Sequence, residues 1–510
     1  MRPGTLVRLA LAGTRTDTAR VLLTALSALL ATLAGLAALT VLAIPTPAAT
    51  DDNPNRYSEQ YLDALLVEPG LRGGVALALL LLMIPVLALA GQCARLGAPA
   101  RDRRLAALRL AGATPGQVTR LAVLETGVAA LLGTLVGLGT YLVARDLLHR
   151  PDQRGHLALP TDVLPAPGAM AAVVLGLPVL AALTTTLMLR TVTTTPLGVT
   201  RRARRTRGPR PWAGLMIGLG LLSFASIRSV FTRWEGDEGL LIWLVPLLYL
   251  AGGLAAMIGV VVGTGWISYN SGRLLRRHAR RPAALLAAGR LMADPWAGSR
   301  TFAALLAALI FGAGAAAMRA SFTLQGQIER EQNRLAGFDG GNDPFYLSTM
   351  DLVDTAVAVA VLIATGGLIV ALVEGIVARR RAYAALVATG VPRGTLSRSV
   401  AWQALAPAVP AILLALSVGI LLGRGLAGPV SSSGSSQEIC EAAAEVCADP
   451  ATREPYVRVV ELPTVDRMPD VPLEQLAWLG AGALAAVLVT VGVGLLFLRL
   501  STAVEELRTT

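Results

Sequence analysis

Stretches of about 20 mainly apolar residues recur along the whole chain, and they constrain its fold more than any other feature. A membrane-spanning helix needs about 20 such residues to cross the hydrocarbon core. The charged fraction of 15% and the mean hydropathy of +0.60 are typical of membrane proteins, since soluble chains carry about 25% charge. We therefore expect an all-α polytopic membrane protein with about ten spans. The predicted spans are 21–44, 73–91, 121–144, 169–189, 212–231, 240–266, 301–318, 355–376, 400–422 and 475–498.

The first apolar run leaves an alternative open. Ala48 and Ala49 could mark the cleavage site of a signal peptide, whose apolar part usually has about 7–15 residues. The run from 21 to 44 is longer than that, which favours a first membrane span.

Arginine is concentrated in alternate loops. Of the 45 basic residues, 31 lie in one set of loops that holds only 5 acidic residues. This set is predicted to be cytoplasmic because positive charge marks the cytoplasmic loops of membrane proteins. It also explains the net charge of +12 without a nucleic-acid partner. The cytoplasmic segments are the two termini and the loops 92–120, 190–211, 267–300 and 377–399.

Lysine is absent, so every basic residue is Arg. A phosphate-binding GxxxxGK[ST] loop needs its Lys to reach the terminal phosphates of ATP. The chain therefore has no such ATPase site, and Schiff-base chemistry is excluded as well. We expect a protein that is not itself an enzyme, and any ATP hydrolysis has to come from another chain.

The segment 101–139 recurs from Arg379 onward, at an offset of 278 residues. At this offset Arg101 matches Arg379 and Gly112 matches Gly390, among other identical pairs. Such a duplication predicts two parallel repeats of three helices each. The predicted division is 1–71 with the first span, 72–190 as the first repeat, 191–300 as a basic linker with spans five and six, 301–354 with span seven, and 355–510 as the second repeat with the outer loop 423–474.

Each copy begins with a short basic helix and a glycine break. Gly112 can end its helix in the left-handed conformation. Thr114 then suits the N-cap of the next helix, with Pro115 at its first position and Gln117 completing a capping box. In the second copy Gly390 preserves the break without the box. One such corner would be an ordinary interfacial helix, whereas two indicate paired docking surfaces on the cytoplasmic side.

The pattern Arg-x-Arg…Leu-x-x-x-Gly-Ala-Thr…Gln…Glu, followed by a Gly-spaced apolar helix, resembles the FtsX-like permease domain of ABC transporters, which includes the MacB, LolC/LolE and BceB types. The resemblance implies that the corners are coupling helices for a separate ATPase subunit, present in two copies, which binds ATP and Mg²⁺. It also implies a bacterial plasma membrane. The implied coupling residues are Arg101, Arg103, Arg104, Leu105, Leu108, Arg109, Gly112, Arg379, Arg380, Arg381, Tyr383, Leu386 and Gly390.

The resemblance leaves more than one function open. A permease of this kind exports or extracts a hydrophobic or amphiphilic substrate such as a lipid, a lipoprotein, a peptide or an antibiotic. The alternative is a membrane subunit that transmits motion to an extracellular enzyme or sensor kinase without transport. A secondary transporter is less favoured, because such carriers place acidic groups at the middle of the membrane and this chain has none there.

A few further residues have candidate roles. Glu125 and Glu374 lie within predicted spans near the cytoplasmic edge, where they either act in function or pair with nearby Arg residues. Cys440 and Cys447, in the outer loop, are candidates for a disulfide. No cluster of His, Cys and acidic residues has metal-ligand spacing, so no metal site is expected. The segment 431–436, five Ser and one Gly, has the composition of a flexible linker.

Overall fold

Helices make up most of the part of the chain that the structure describes. The structure is a computed structural model, and it describes residues 15–50, 53–93, 110–193, 211–231, 238–337, 345–434, 436–440, 447 and 454–501. An α-helix satisfies its own backbone polar groups, so it is the form that apolar segments take in a bilayer. The helices are α1 (Arg15–Leu42), α2 (Ala64–Val67), α3 (Pro69–Cys93), α4 (Pro115–Leu148), α5 (Pro167–Thr193), α6 (Trp212–Phe231), α7 (Glu238–His278), α8 (Pro282–Ala293), α9 (Trp296–Leu335), α10 (Phe345–Ala378), α11 (Arg380–Ala388), α12 (Arg393–Ala427) and α13 (Leu473–Ser501).

Within the described residues, eight helices are long and apolar enough to cross a membrane, and they coincide with eight of the ten predicted spans. The other two predicted spans fall in α3 and α6, whose described apolar parts, Pro69–Leu80 and Trp212–Ile227, are shorter. As backbone helices, α3 and α6 have 25 and 20 residues. At 1.5 Å per residue they measure about 38 Å and 30 Å, enough to reach across a hydrocarbon core. The predicted all-α polytopic fold is confirmed.

The long helices form two similar four-helix units. In the first unit, α1 packs against α3, α4 and α5; in the second, α9 packs against α10, α12 and α13. Helices α3 and α10 then join the two units. Each unit therefore contains one helix more than the three-helix repeats of the sequence, and α1 and α9 are the helices around which the others pack.

Small residues let the paired helices approach closely in both units. A Cβ atom on Gly133 of α4 would meet the carbonyl oxygen of Ala25 on α1. A Cβ atom on Gly419 of α12 would lie 2.5 Å from the carbonyl oxygen of Ile310 and 2.7 Å from Cβ of Ala313 on α9. Backbone contact of this kind is how small residues join helices in a membrane, where lipid removes the hydrophobic drive for association.

The main core lies within the second unit and extends to the hairpin of α6 and α7. Helix α9 contributes Leu305, Leu306 and Leu309, each at most 1% exposed. Helices α7, α10, α12 and α13 contribute the residues that surround them, among them Val260, Leu368, Ala415 and Val487. The hairpin of α6 and α7, which lies between the two repeats in the chain, is thus part of the core of the second unit.

The loop before α13 contains short antiparallel strands. β1 (Val430–Ser432) pairs with β4 (Val465–Arg467), and β2 (Ser436–Cys440) pairs with β3 (Val457–Glu461). A short 3₁₀ helix, Glu454–Tyr456, precedes β3. The expectation of a flexible linker at 431–436 is therefore wrong for its ends, because backbone pairing with 461–467 holds them as strands.

A buried arginine organises the predicted outer end of the first unit. The side chain of Arg72, 4% exposed, donates hydrogen bonds to the carbonyls of Leu66 and Ile44 and to the Ser58 hydroxyl, at 2.6–3.1 Å. Nearby, the Tyr61 hydroxyl donates to the carboxylate of Asp162 at 2.8 Å. Burial and that carboxylate raise the pKa of Tyr61 above its ordinary value. The loop after α1 is in this way fastened to α3 and to the loop before α5.

Candidate functional site

The corner of the second repeat is a short helix, α11, set between α10 and α12. Gly390 follows it with φ of +89°, in the left-handed region that only Gly adopts without strain. The Gly390 amide donates to the Val387 carbonyl and the Val391 amide to the Leu386 carbonyl, both at 3.0 Å. These two bonds are a Schellman motif, which satisfies the last carbonyls of α11 and turns the chain sharply into α12.

The corner of the first repeat has the same break. Gly112 has φ of +91°, within 2° of its counterpart Gly390. The Gln117 amide donates to the Thr114 hydroxyl at 3.4 Å, and the Thr114 amide donates to the Gln117 side chain at 3.1 Å. The predicted capping box and the Pro at the start of α4 are confirmed. The predicted coupling residues Arg101, Arg103, Arg104, Leu105, Leu108 and Arg109 lie outside the described residues.

Helix α11 shows which face of a corner points outward. Tyr383 is 3% exposed and packs in a cluster with Ile376, Leu396 and Leu498, which Leu386 borders. The opposite face carries Ala382, Ala385 and Ala388, which are all exposed, and Arg379 is exposed at the start. Arg380 and Arg381 belong to the helix, and their side chains are outside the described part.

Two of the predicted coupling residues lie on the inner side of α11. Tyr383 points into the protein and Leu386 is partly buried beside it, so both fasten α11 to its own chain. Among the described side chains of the helix, the exposed ones form the narrow alanine face. In the first copy, Leu110 stands at the position of Ala388 and is 92% exposed, which is consistent with the same outward direction.

A second short helix, α8, connects the corner to the spans. The guanidinium carbon of Arg290 lies 4.5 Å from the centre of the Tyr383 ring, and its Nη1 donates a hydrogen bond to the Tyr383 hydroxyl. The other face of α8 buries Ala284, Ala287 and Leu291, and the helix packs against α7 and α12. Sequence reasoning missed α8, although Pro282 at its first position and the Ala and Leu spacing were usable signals.

The three segments α8, α11 and the end of α13 meet at one end of the molecule, since Leu498 of α13 joins the cluster around Tyr383. Helices α8 and α11 belong to two of the loops that the Arg distribution predicts to be cytoplasmic, and Leu498 is the last residue of a predicted span. Further along, Arg319 of α9 forms ion pairs of 2.7 Å and 2.8 Å with Asp351 and Asp354 of α10.

A groove of about 930 Å³ lies between α7 and α12, just beyond the corner. Its walls are mainly apolar and include Trp266, Leu274, Trp402 and Leu405. Because α12 begins just after the Gly390 break and α8 packs against both α7 and α12, the groove and the corner belong to one connected group of helices.

The remaining candidate residues are two glutamates and two cysteines. Glu125 and Glu374 are partly buried in α4 and α10, and neither is without an interaction partner. Glu374 lies two residues before Ile376 of the Tyr383 cluster. Cys440 and Cys447 are joined by a disulfide with Cα atoms 5.8 Å apart, at the end of β2.

Comparison with known protein families gives one match. The model of the FtsX-like permease C-terminal domain matches residues 75–197 and 355–439, so each matched region contains one of the two corners. A domain of this family indicates the membrane subunit of an ABC transporter, which works with a separate ABC ATPase subunit and is not itself the catalytic chain. No curated protein and no solved structure matches the chain.

Proposed function

We propose that the chain is the permease subunit of an ABC transporter and that it couples ATP hydrolysis by two separate ATPase subunits to export or extraction of an amphiphilic substrate. One observation carries the proposal, namely the duplicated corner with its two left-handed glycines, Gly112 and Gly390. Two equivalent corners call for two equivalent partners. ATP and Mg²⁺ would bind to those partners, because this chain lacks the Lys that an ATP-binding loop needs.

The alanine face of α11 supports docking into a groove of the ATPase. Ala382, Ala385 and Ala388 are small, so another backbone can approach this face closely. An amphipathic helix laid into a groove is a common mode of recognition between proteins. The exposed Arg379 at the start of the helix adds positive charge that an acidic rim on the partner would favour.

Movement of a docked α11 would reach the membrane by two routes. The first is the chain itself, which passes through the tight Gly390 turn into α12. The second is the contact of Tyr383 with Arg290, which leads through α8 to α7 and α12. A corner held this firmly moves with the spans rather than independently of them, and this is what a coupling element requires.

The proposed location is a bacterial plasma membrane, with both termini in the cytoplasm. The charge pattern supports this orientation, since both corners and α8 lie in Arg-rich segments. The apolar groove between α7 and α12 supports a substrate that enters sideways from the bilayer.

A second candidate function has its own supporting observation. Helix α9 has 40 residues and is about 60 Å long, so it runs from beside α8 to the strands of the outer loop. There the Gln332 side-chain amide donates to the Ser432 hydroxyl of β1 at 2.7 Å. A rigid helix that links the two predicted sides of the membrane could instead transmit movement of the ATPase subunits to an extracellular enzyme or sensor kinase.

Affinity purification from native membranes tests the proposal. A tagged chain should bring down a smaller protein with an ATP-binding loop, at about two copies per chain, by quantitative mass spectrometry. If no ATPase accompanies the intact chain under conditions that keep it folded, the proposed function fails. Deleting the outer strands, 430–467, separates the two candidates, because transport should survive it and signalling should not.

A further inference from the structure

We propose that the groove between α7 and α12 binds an anionic phospholipid, taken laterally from the membrane leaflet on the predicted cytoplasmic side. This rests on the proposed function in one respect, because the molecule in the groove is taken to belong to the transported class.

The walls of the groove are suited to acyl chains. Trp266 and Trp402 are 46% and 48% exposed, and Leu274 is 61% exposed. Leu405 and Val409 complete the apolar wall on α12. The volume of about 930 Å³ lies at the upper end of the range for small-molecule sites, which is about 300–1,000 Å³. An apolar space of this size, open to the bilayer, suits a chain-bearing molecule better than a small polar one.

The polar character of the groove rises toward His278, the last residue of α7 and of the candidate span Leu247–His278, which extends beyond the predicted end at 266. Asn270 and Ser271 line its middle, and His278 lines the end. The last turn of α7 contains Arg276 and Arg277 next to that histidine. The gradient from apolar to polar follows the build of an amphiphile, with chains toward the centre of the bilayer and a headgroup at the surface.

Basic residues beside the polar end of the groove determine which sign of headgroup charge is favoured. Arg398 lies one turn before Trp402 on the same face of α12, and Arg277 follows Leu274 by three positions on α7; both are exposed. Neither 266–281 nor 398–410 contains an acidic residue. Each basic residue at a membrane surface improves binding of anionic lipid by about fivefold. These two arginines, on segments that hold no acid of their own, therefore favour an anionic headgroup.

The groove also lies where movement of the proposed ATPase subunits would change its shape. Helix α12, which forms one wall, starts at the corner, and α8 packs against both α7 and α12. Pro407 and Pro410 lie inside α12 at groove depth, and Pro410 lines the groove. Proline removes a helix hydrogen bond and allows a bend there. A shift of α11 could in this way narrow or widen the groove.

Fluorescence quenching by brominated lipids tests the proposal on the full chain without any ATPase. The probe protein retains Trp402, with the other six tryptophans replaced by Phe, in nanodiscs. Brominated phosphatidylglycerol and brominated phosphatidylcholine with identical chains are compared at equal mole fraction. We expect the anionic lipid to quench Trp402 with at least about fivefold higher relative affinity at low salt.

Two pairs of variants separate the groove from general lipid contact. Ala406→Phe fills the groove and should abolish the preferential quenching, whereas Ala485→Phe on the exposed face of α13 should leave it unchanged. Arg277→Gln combined with Arg398→Gln should bring the preference close to one, whereas Arg330→Gln at the opposite end should not.

Equal quenching by the two lipids, or quenching that Ala406→Phe leaves intact, would mean that only surrounding bulk lipid is seen and would overturn the proposal. If the Trp-poor protein does not fold, native mass spectrometry of lipids retained by Ala406→Phe and Ala485→Phe in the unaltered background gives the same decision. Because no ATPase is present, this result is independent of whether the chain binds one.

Discussion

Arg290 of α8 covers the ring of Tyr383 of α11, with the guanidinium carbon 4.5 Å from the ring centre and a hydrogen bond to the hydroxyl. The pair joins two short helices that lie 93 residues apart in the chain. It holds the corner against α8, which packs on both α7 and α12.

The Arg290–Tyr383 pair should behave as one energetic unit. Tyr383→Phe should lower the free energy of unfolding by about 1–2 kcal/mol, because a buried hydrogen bond to a charged group is lost. Arg290→Ala should lower it by roughly a further 0.5–1 kcal/mol, because the cation–π contact is lost too. The double variant should be no less stable than Arg290→Ala alone. Unfolding of the purified variants measures this, with the exposed Tyr456→Phe as control, and additive effects would contradict a direct interaction.

The left-handed glycines should be required for coupling. Gly112→Ala and Gly390→Ala place a Cβ at positive φ, which costs roughly 1–2 kcal/mol and distorts the turn. We expect each to reduce stimulation of the bound ATPase while the chain still inserts in the membrane. The matched controls are Gly116→Ala and Gly394→Ala, two residues into the next helix with open space around them. Equal loss of stimulation in controls and corner variants would count against a specific role of the turn.

Backbone contact between α9 and α12 should limit the size of residue 419. Gly419→Ala forces a Cβ to within 2.5 Å of the Ile310 carbonyl oxygen, so the helices have to separate. We expect a loss of about 1–3 kcal/mol from this overpacking. Gly482→Ala on α13, where a Cβ meets nothing within 4 Å, isolates the change in helix propensity. Heating followed by size-exclusion chromatography compares the two, and similar midpoints would refute the close approach.

The sequence alone was enough to predict the helical architecture, because apolar length and Arg asymmetry act locally and were readable without tertiary information. It also predicted the turn at Gly112 and Gly390, since few residues other than Gly tolerate positive φ and the duplication gave two examples. The correspondence between the copies continues into the next helix. Ala411 and Ala415 stand 278 residues after Gly133 and Gly137, and all four residues are buried.

Sequence reasoning failed where the outcome depends on packing between distant segments. Nothing in the pattern of α11 shows that Tyr383 meets Arg290, so the burial of this aromatic residue could not be predicted from the sequence. The strands at 430–440 were missed because Ser-rich composition gives no period, and their partners lie about 20 to 40 residues further along. The membership of α1 and α9 in the repeats is also visible only in the packing.

Arg72 should be essential for the fold of the loop after α1. Arg72→Met leaves several carbonyls without their donor, at about 1–3 kcal/mol for each buried group. We expect chymotrypsin to cut faster at Tyr57 and Tyr61 in the purified variant. Arg154→Met, at an exposed position in the loop before α5, should leave the cleavage rate unchanged. Unaltered cleavage in Arg72→Met would show that the loop does not depend on this side chain.

Site-specific photocrosslinking at the corner tests the central claim most directly. A photoreactive amino acid at Ala385, on the exposed face of α11, should form a covalent adduct with an ATPase subunit in native membranes, and the same group at Ala485 on α13 should not. Addition of ATP should change the yield at Ala385, since the docked subunits move on binding nucleotide. A strong adduct at Ala385 that contains an ATP-binding loop is the predicted result; adducts with lipid alone, or equal yields at both positions, would contradict the account.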